Sequence, residues 1–461
     1  MNIKTLAGIL TMTFALKVTA QTLTTLHSFT NTPDGAYPLG GMILSGNALY
    51  GTTQKGGLSG AGMVFKINTD GTGLTNLFSF PTLTGLSNSD GAYPGGVLVL
   101  SGNTLYGATA LGGSNGNGAV FRINTDGTSF TNLHSFTTLV SGTNSDGGEP
   151  VGALVLSGNT LYGTASQGGS AGDGIVFGIN TDGTGLTNHH NFTGGDGESP
   201  EGPLVLSGNT LYGSTSKGGA YTWGTVFRIN TDGTAFTNLF SLPSGNAGGA
   251  VPEGALVVSG NVLYGTTYLG GGPNYGTVFR INNDGTHFTN LLSFNGSGDG
   301  AYLPGGLVMS GNTLYGTTIA EIGTVYGTVF SIDTDGTGFT SLHNFSATSG
   351  SKSTNIDGAV PLCVLTYSSN ILYGMGNSGG TSGYGTLFSI SLPRPLLTIS
   401  AGGTNVILRW TNTAPGFKLE STTNLCQPTW STNLPAPVVV NGQNVVTNSI
   451  YGTQQFYELS Q

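Results

Sequence analysis

The side chains able to do chemistry in this 461-residue sequence fall into three sets: six histidines, a series of loop carboxylates and a few loop aromatics. Four histidines, His27, His134, His190 and His343, occupy one recurring position that Phe78, Phe240 and Leu292 hold elsewhere. Interchange with Phe and Leu points to packing. His189 and His287 have no partners at a recognisable spacing. No metal-ligand spacing, Gly-x-Ser-x-Gly elbow or phosphate loop followed by Lys occurs. No catalytic residue, metal or cofactor is therefore expected.

The carboxylates are more suggestive. Asp34, Asp90, Asp146, Glu149, Asp196, Glu198, Glu201, Glu253, Asp299 and Asp357 all fall in connections of one type, which also carry Tyr37, Tyr93 and Tyr302. A second position, just before a recurring Gly, reads Ala61, Asn117, Asp173, Trp223, Tyr275, Tyr326 and Tyr384. Four successive aromatics there would form an arc on one face. Aromatic rings beside carboxylates suit sugars, whose C–H faces stack while their hydroxyls are hydrogen-bonded. Trp223, Tyr275, Tyr326, Tyr384, Tyr37, Tyr93 and Tyr302 are thus the expected ligand-binding residues, with a glycan or cell-surface ligand as partner. The competing reading is architectural: Asp caps loop amides and Tyr covers Gly-rich backbone. An enzyme, a glycan hydrolase or lyase, is the alternative from another class. It would need paired carboxylates about 5–9 Å apart at a pore mouth.

What must position these residues is a repeat. Leu-Tyr-Gly occurs at Leu49, Leu105, Leu161, Leu211, Leu263, Leu314 and Leu372. Each unit reads as four strands, for example Gly96 to Leu100, Thr104 to Gly107, Ala119 to Ile123 and Phe130 to Phe136. Gly-Asn and Asp-Gly between alternating runs are hairpin signals, because such turns need positive φ. Asp70, Asp126, Asp182, Asp232, Asp284 and Asp335 belong to those turns and read as structural. A unit of about 50 residues cannot bury its own apolar face and must stack on neighbours.

The phase of the repeat separates a ring from an open solenoid. The chain opens with a lone fourth strand, Thr24 to Phe29, and the seventh unit stops after its third, Leu387 to Ile390. Every strand type numbers seven only if the first strand of the chain completes the last unit. The expected fold is all-β: a seven-bladed β-propeller closed by its N-terminal strand, which leaves no open edge. The two hairpin turns keep constant length, whereas the connection between units varies: 8 residues lie between Phe29 and Pro38, 13 between Phe80 and Pro94 and 15 between Phe345 and Pro361. Variable loops on a rigid scaffold mark the working face.

Composition agrees with an exported β protein. Gly supplies 81 residues and charged residues only 7%, yet the glycines fall at fixed turn positions, which argues against disorder. Residues 1–20 read as a signal peptide, with Lys4, an apolar run to Leu16 and Val18-Thr19-Ala20 before Gln21. Net charge is −9, and −11 once Lys4 and Lys17 leave with that segment. Nothing could neutralise a row of phosphates, so nucleic acid is not an expected partner. No later run reaches transmembrane length, and a secreted or surface-exposed monomer is expected. Cys363 and Cys426 are either two separate buried thiols or a disulfide. After Pro393-Arg394-Pro395 the period ends, and 396–461 reads as about six short strands, a β-sandwich-like module. The domains are then 1–20, 21–393 and 396–461.

The unit Leu-Tyr-Gly-Thr-Thr, Gly-Gly, Gly-Thr-Val-Phe-Arg-Ile-Asn-Thr-Asp-Gly-Thr resembles the Gloeo-Verruco tandem repeat of exported bacterial proteins. It stands here at Leu211 to Gly219 and Gly224 to Thr234, with Ser214 for the first Thr. The C-terminal part is similar, more loosely, to small β-modules on secreted proteins of Verrucomicrobia-like bacteria. The resemblance implies export and a varied C-terminal attachment, and it carries no activity. Departures are local: Glu321-Ile322 replaces Gly-Gly, and Met375 and Gly376 replace the threonines.

Overall fold

The computed structural model describes residues 21–243, 248–320, 326–393, 397–402, 405–411, 417–424, 429–440, 443–449 and 455–460. Residues 1–20, Glu321-Ile322 and Cys426 lie outside them. The chain divides into two compact bodies, Leu23–Ser391 and a second to which the residues from Leu392 onward belong.

Among the described residues the strands of the first body pair antiparallel, with a few isolated parallel bridges such as Gly41 with Val364. The second unit is typical, with strands Val99–Ser101, Thr104–Leu111, Ala119–Asn124 and Thr131–Ser135, and the same array recurs seven times among the described residues. In the last array, Thr366–Ser368, Ile371–Gly376 and Thr386–Ser391 are joined by the strand Thr22–Ser28, which lies beside Thr386–Ser391. The chain's first strand therefore occupies a fourth-strand place. The turn of the next unit treats it as one: a Cβ on Gly71 would lie 2.7 Å from the Leu26 carbonyl, as one on Gly127 would lie 3.1 Å from that of Leu77.

Local chemistry explains the motif. Gly107 of Leu-Tyr-Gly has ordinary strand backbone, but a Cβ there would meet Phe121 Cζ at 2.6 Å. The equivalent distance in all seven units lies between 2.4 and 2.7 Å, so the Gly leaves room for the Phe ring. Opposite that Phe the fourth strand bulges: Val120 faces His134 and Phe121 faces Asn132, which leaves Leu133 as the extra residue, and the same step recurs in the other five complete units. Sequence reading missed this bulge, since Asn132-Leu133-His134 looks like regular strand. In the following turn Asp126 accepts hydrogen bonds from the Thr128 amide (2.9 Å) and hydroxyl (2.7 Å), and the other five turns repeat the pattern.

The first strand is shorter than expected, Val99–Ser101 rather than Gly96 to Leu100. Its preceding glycines leave the ladder because they run against the neighbouring unit. A Cβ on Gly96 would stand 2.9 Å from Gly152 O, one on Gly40 2.2 Å from Gly95 O, and one on Gly305 2.7 Å from Cys363 O. The core lies between units as well: Tyr50 and Val64 of the first pack with Leu105, Phe121 and Ile123 of the second. Cys363 is buried, accepts a hydrogen bond from the Met375 amide at 3.1 Å, and has its thiol pushed up to about 11 by burial.

The second body holds a four-stranded sheet in the order Thr398–Gly402, Asn405–Thr411, Gln443–Ser449, Val438–Val440. A pair, Lys418–Thr422 with Phe456–Ser460, accompanies it, and Leu408, Trp410, Leu419 and Val446 form the core. No helix among the described residues is long and apolar enough to cross a membrane.

Candidate functional site

The connections between units carry the candidate residues, and four of their aspartates are committed to structure. His27 Nε2 lies 2.9 Å from Asp34, His134 2.9 Å from Asp146, His190 2.9 Å from Asp196 and His343 3.0 Å from Asp357. The same carboxylates accept the amides of Thr30, Thr137, Thr193 and Ser346 at 2.9–3.0 Å. Burial raises the affinity of Asp146 and Asp357 for a proton. Hydrogen bonds from His134 or His343 and from Thr137 or Ser346 more than offset this, so both carboxyls titrate below their usual range. Where the histidine is Phe the stack alone remains: Phe78 lies on Phe130 at 3.7 Å and Phe240 on Phe288 at 4.2 Å, as His190 also lies on Phe236 at 3.5 Å. His189 fills a Leu slot, and a Cβ on Gly178 would stand 2.5 Å from its Nε2. His287 Nδ1 lies 3.0 Å from the Thr286 hydroxyl.

A second set of contacts joins each unit to the next. The residue before the loop Pro (before Leu303 in the sixth unit) has positive φ in all seven units: Tyr37, Tyr93, Glu149, Ser199, Val251, Tyr302 and Val360, at 52–60°. Its N–H donates to the carbonyl of Tyr384, Ala61, Asn117, Asp173, Trp223, Tyr275 and Tyr326 respectively, at 2.7–2.9 Å. The position expected to carry an aromatic arc is therefore also a backbone latch between units. Two of its rings lean on the next unit, Tyr384 on Tyr37 at 6.0 Å and Tyr275 on Tyr302 at 5.8 Å, both edge to face. Tyr37, Tyr93, Tyr275, Tyr302, Tyr326 and Tyr384 are all partly buried. Trp223 stands out at 39% exposure, beside Tyr221 at 56%.

Loop length makes the face uneven. The connections into the second, third and seventh units run 13, 13 and 15 residues from Phe to Pro and fold on themselves through the bridges Thr84–Ser87, Val140–Thr143 and Ser349–Thr354. Those into the fourth, fifth and sixth run only 7, 9 and 8 residues. The connection into the first unit also runs 8, and the run of three short connections is the one latched to Trp223 and Tyr275.

Where the seven connections turn into their first strands they enclose a cavity of about 350 Å³. One repeat position lines it throughout: Leu39, Gly95, Val151, Glu201, Glu253, Pro304 and Leu362. Glu149 and Ser166 also reach it, and no Lys or Arg is among the described residues that line it. Five of the seven equivalent residues are small or apolar, and the two acids are consecutive. Burial, and then the negative charge of Glu201, push Glu253 up to about 7. Burial raises Glu201 as well, against a hydrogen bond to Ser216 and the Lys217 charge, with Glu149 adding to the rise. Tyr268 lies close enough to Glu253 to feel its charge, and its ring stacks on Tyr302 at 5.0 Å. Such a pair can hold one proton near neutrality and present a carboxylate beside it.

Sequence reading placed Glu201 and Glu253 among ten loop acids without separating them, and it missed Tyr268. A signal existed: after the loop Pro, an acid occurs in these two units only. Among the described residues no three His, Cys, Asp or Glu side chains are grouped so as to hold a metal ion.

The Gloeobacter/Verrucomicrobia repeat family matches the chain over residues 5–207, 136–326, 188–388 and 252–424. No curated protein matches it. Among solved structures it is similar to a GH74 xyloglucanase from Xanthomonas campestris, with 13% identity over 86% of this chain and 60% of that one, at a TM-score of 0.49. An oligogalacturonate lyase from Vibrio parahaemolyticus shares 10% identity over 81% of this chain and 94% of its own, at 0.47. A puromycin-hydrolyzing peptidase of Mycobacterium tuberculosis shares 11% over 84% and 60%, at 0.49.

Proposed function

The chain belongs to the Gloeobacter/Verrucomicrobia repeat family, and from that premise we propose an exported, noncatalytic binding or adhesion protein. Its scaffold is a seven-bladed β-propeller closed by the N-terminal strand, with a leader at 1–20 and a β-sandwich-like module at 396–461. Three contacts support closure: Thr22–Ser28 lies beside Thr386–Ser391, the Tyr37 amide bonds Tyr384 O at 2.8 Å, and the Val364 amide bonds Gly40 O at 3.0 Å.

One observation carries the binding role. Seven equivalent segments build the cavity, but acids enter it from three consecutive units only, and two of them, Glu201 and Glu253, follow the short connections near the exposed Trp223. A ring stabilised by repetition has no packing need for that asymmetry. A glycan is the ligand we favour, lying over blades four to seven with Trp223 as the main stacking surface and one end toward Glu201 and Glu253. Tyr275, Tyr326, Tyr384, Tyr37, Tyr93 and Tyr302 then act more as walls than as platforms. A glycan array on the parent, W223A and the pair W223A/Y275A tests this. Loss of about 1–3 kcal/mol of binding with an unchanged melting transition is expected for hot spots. Equal binding by all three chains would return these aromatics to packing.

The hydrolase or lyase reading is favoured by one observation, the proton-holding Glu253 beside Glu201, which is how an acid and base pair is made. Release of reducing or unsaturated sugar ends from a bound glycan, abolished by E253Q, would establish it in place of simple binding.

A further inference from the structure

The carboxyls in the cavity differ from the loop aspartates in one respect. Asp34, Asp146, Asp196 and Asp357 are each satisfied by a histidine and a backbone amide. No hydrogen bond from a described residue reaches the Glu253 carboxyl, which is half-buried and next to a like charge. A carboxyl left so is satisfied by water or by a ligand. The groups around it are mostly of one sign or neutral: Glu149 and Glu201 from the third and fourth units, Lys217 beside Glu201, and Tyr268 and Tyr302 behind. An anion there would meet two or three carboxylates. A neutral hydroxyl would leave the repulsion between Glu201 and Glu253 in place.

We propose that the cavity takes a positively charged alkylammonium group of the ligand, held between Glu201 and Glu253. This rests on the reading of the cavity as the binding site. A volume of about 350 Å³ suits one small group or one end of a longer molecule, being near the lower limit for ligand pockets. The charge could arrive on an amino sugar of a glycan or on a free small amine; the recognised chemistry is the same. An ammonium between the two carboxylates converts their repulsion into two attractions and displaces the proton from Glu253. Binding is therefore linked to release of a proton, and affinity falls as pH drops below neutrality. For a one-proton site titrating near pH 7 the ionised fraction differs about tenfold between pH 8 and pH 6.

The test uses the full chain with choline, whose charge does not titrate, and its neutral isostere 3,3-dimethylbutan-1-ol. Calorimetry near pH 6, 7 and 8 should show choline binding that tightens about tenfold toward pH 8, with proton release, and much weaker binding of the isostere. E253Q should weaken choline binding and remove its pH dependence. E201Q should move that dependence to lower pH, because Glu253 loses the neighbour that raises it. Both variants should melt like the parent, which separates loss of the site from loss of the fold. Glucosamine competing with choline, where N-acetylglucosamine does not, would assign the charge to an amino sugar; failure of both with choline still bound would assign it to a free amine. Equal binding of choline and the isostere, or binding of neither at pH 8, overturns the proposal. If neither binds while the glycan array shows Trp223-dependent binding, the cationic assignment alone falls; a blank array as well removes the binding reading.

Discussion

Replacing Phe29 by Ala asks whether the N-terminal strand is a full member of the ring. Phe29 follows that strand directly and is 0% exposed, as are Phe136 and Phe192, which sit at the same repeat position inside the chain. Its ring meets Phe65 of the next unit at 5.7 Å and 62°, close to the 5.3 Å and 69° of Phe136 with Phe177. Its amide bonds Gly385 O at 3.0 Å, as the Phe136 amide bonds Gly118 O at 3.1 Å. Equal burial and equal contacts predict equal cost: about 3–5 kcal/mol for each Phe→Ala change, the usual range for a buried aromatic. Guanidinium denaturation of F29A, F136A and F192A, compared at constant slope, should place the three within about 1 kcal/mol of one another. A terminal strand that frays opens at little cost, and local openings of that kind span a wide range of free energy. F29A with a loss near zero, beside a full loss in F136A, would refute closure.

Gly213→Ala adds a Cβ 2.6 Å from Phe227 Cζ in ordinary strand backbone. We expect it to cost about 1–3 kcal/mol by overpacking, with part of that recovered in G213A/F227L, so a double-mutant cycle that adds strictly would refute the steric account. Asp146 titrates below the usual carboxylate range when folded, so its stabilisation is present above the unfolded value near 4 and is lost as pH falls through the lower folded value. D146N should cost about 1–3 kcal/mol near pH 7, and the gap to the parent should close below about pH 4; a gap independent of pH would show the hydrogen bonds to His134 and Thr137 carry no charge dependence. A chain ending at Pro393 should keep the melting transition of the Leu23–Ser391 body, and loss of cooperative unfolding would mean that the C-terminal residues belong to the ring.

Much of the architecture was legible because it is local and repeated. Gly102 at φ 57° and the Asp126-Gly127 turn hold conformations that few residues tolerate, so the hairpins are visible in single tetrapeptides. Counting strand types then singles out Thr24 to Phe29 as the extra fourth strand. The short first strand and the bulge at Leu133 were not legible: the strand is cut short where Gly96 meets Gly152 across the unit boundary, and Asn132-Leu133-His134 reads as regular strand.

The site divides the same way. The chain alone shows which positions vary while the framework stays constant, and so which loops carry aromatics and acids. It does not show what each acid meets. Asp196 and Glu201 are five residues apart, yet one is bound by His190 and an amide while the other faces a cavity beside Glu253, 52 residues away. Coulombic coupling and hydrogen bonding depend on distance in space, and stacking the units is what makes residues one repeat apart into neighbours. Glu201 and Glu253, at equivalent positions, come to line one cavity, where the charge of the first adds to burial in raising the second, only when tertiary structure brings them together.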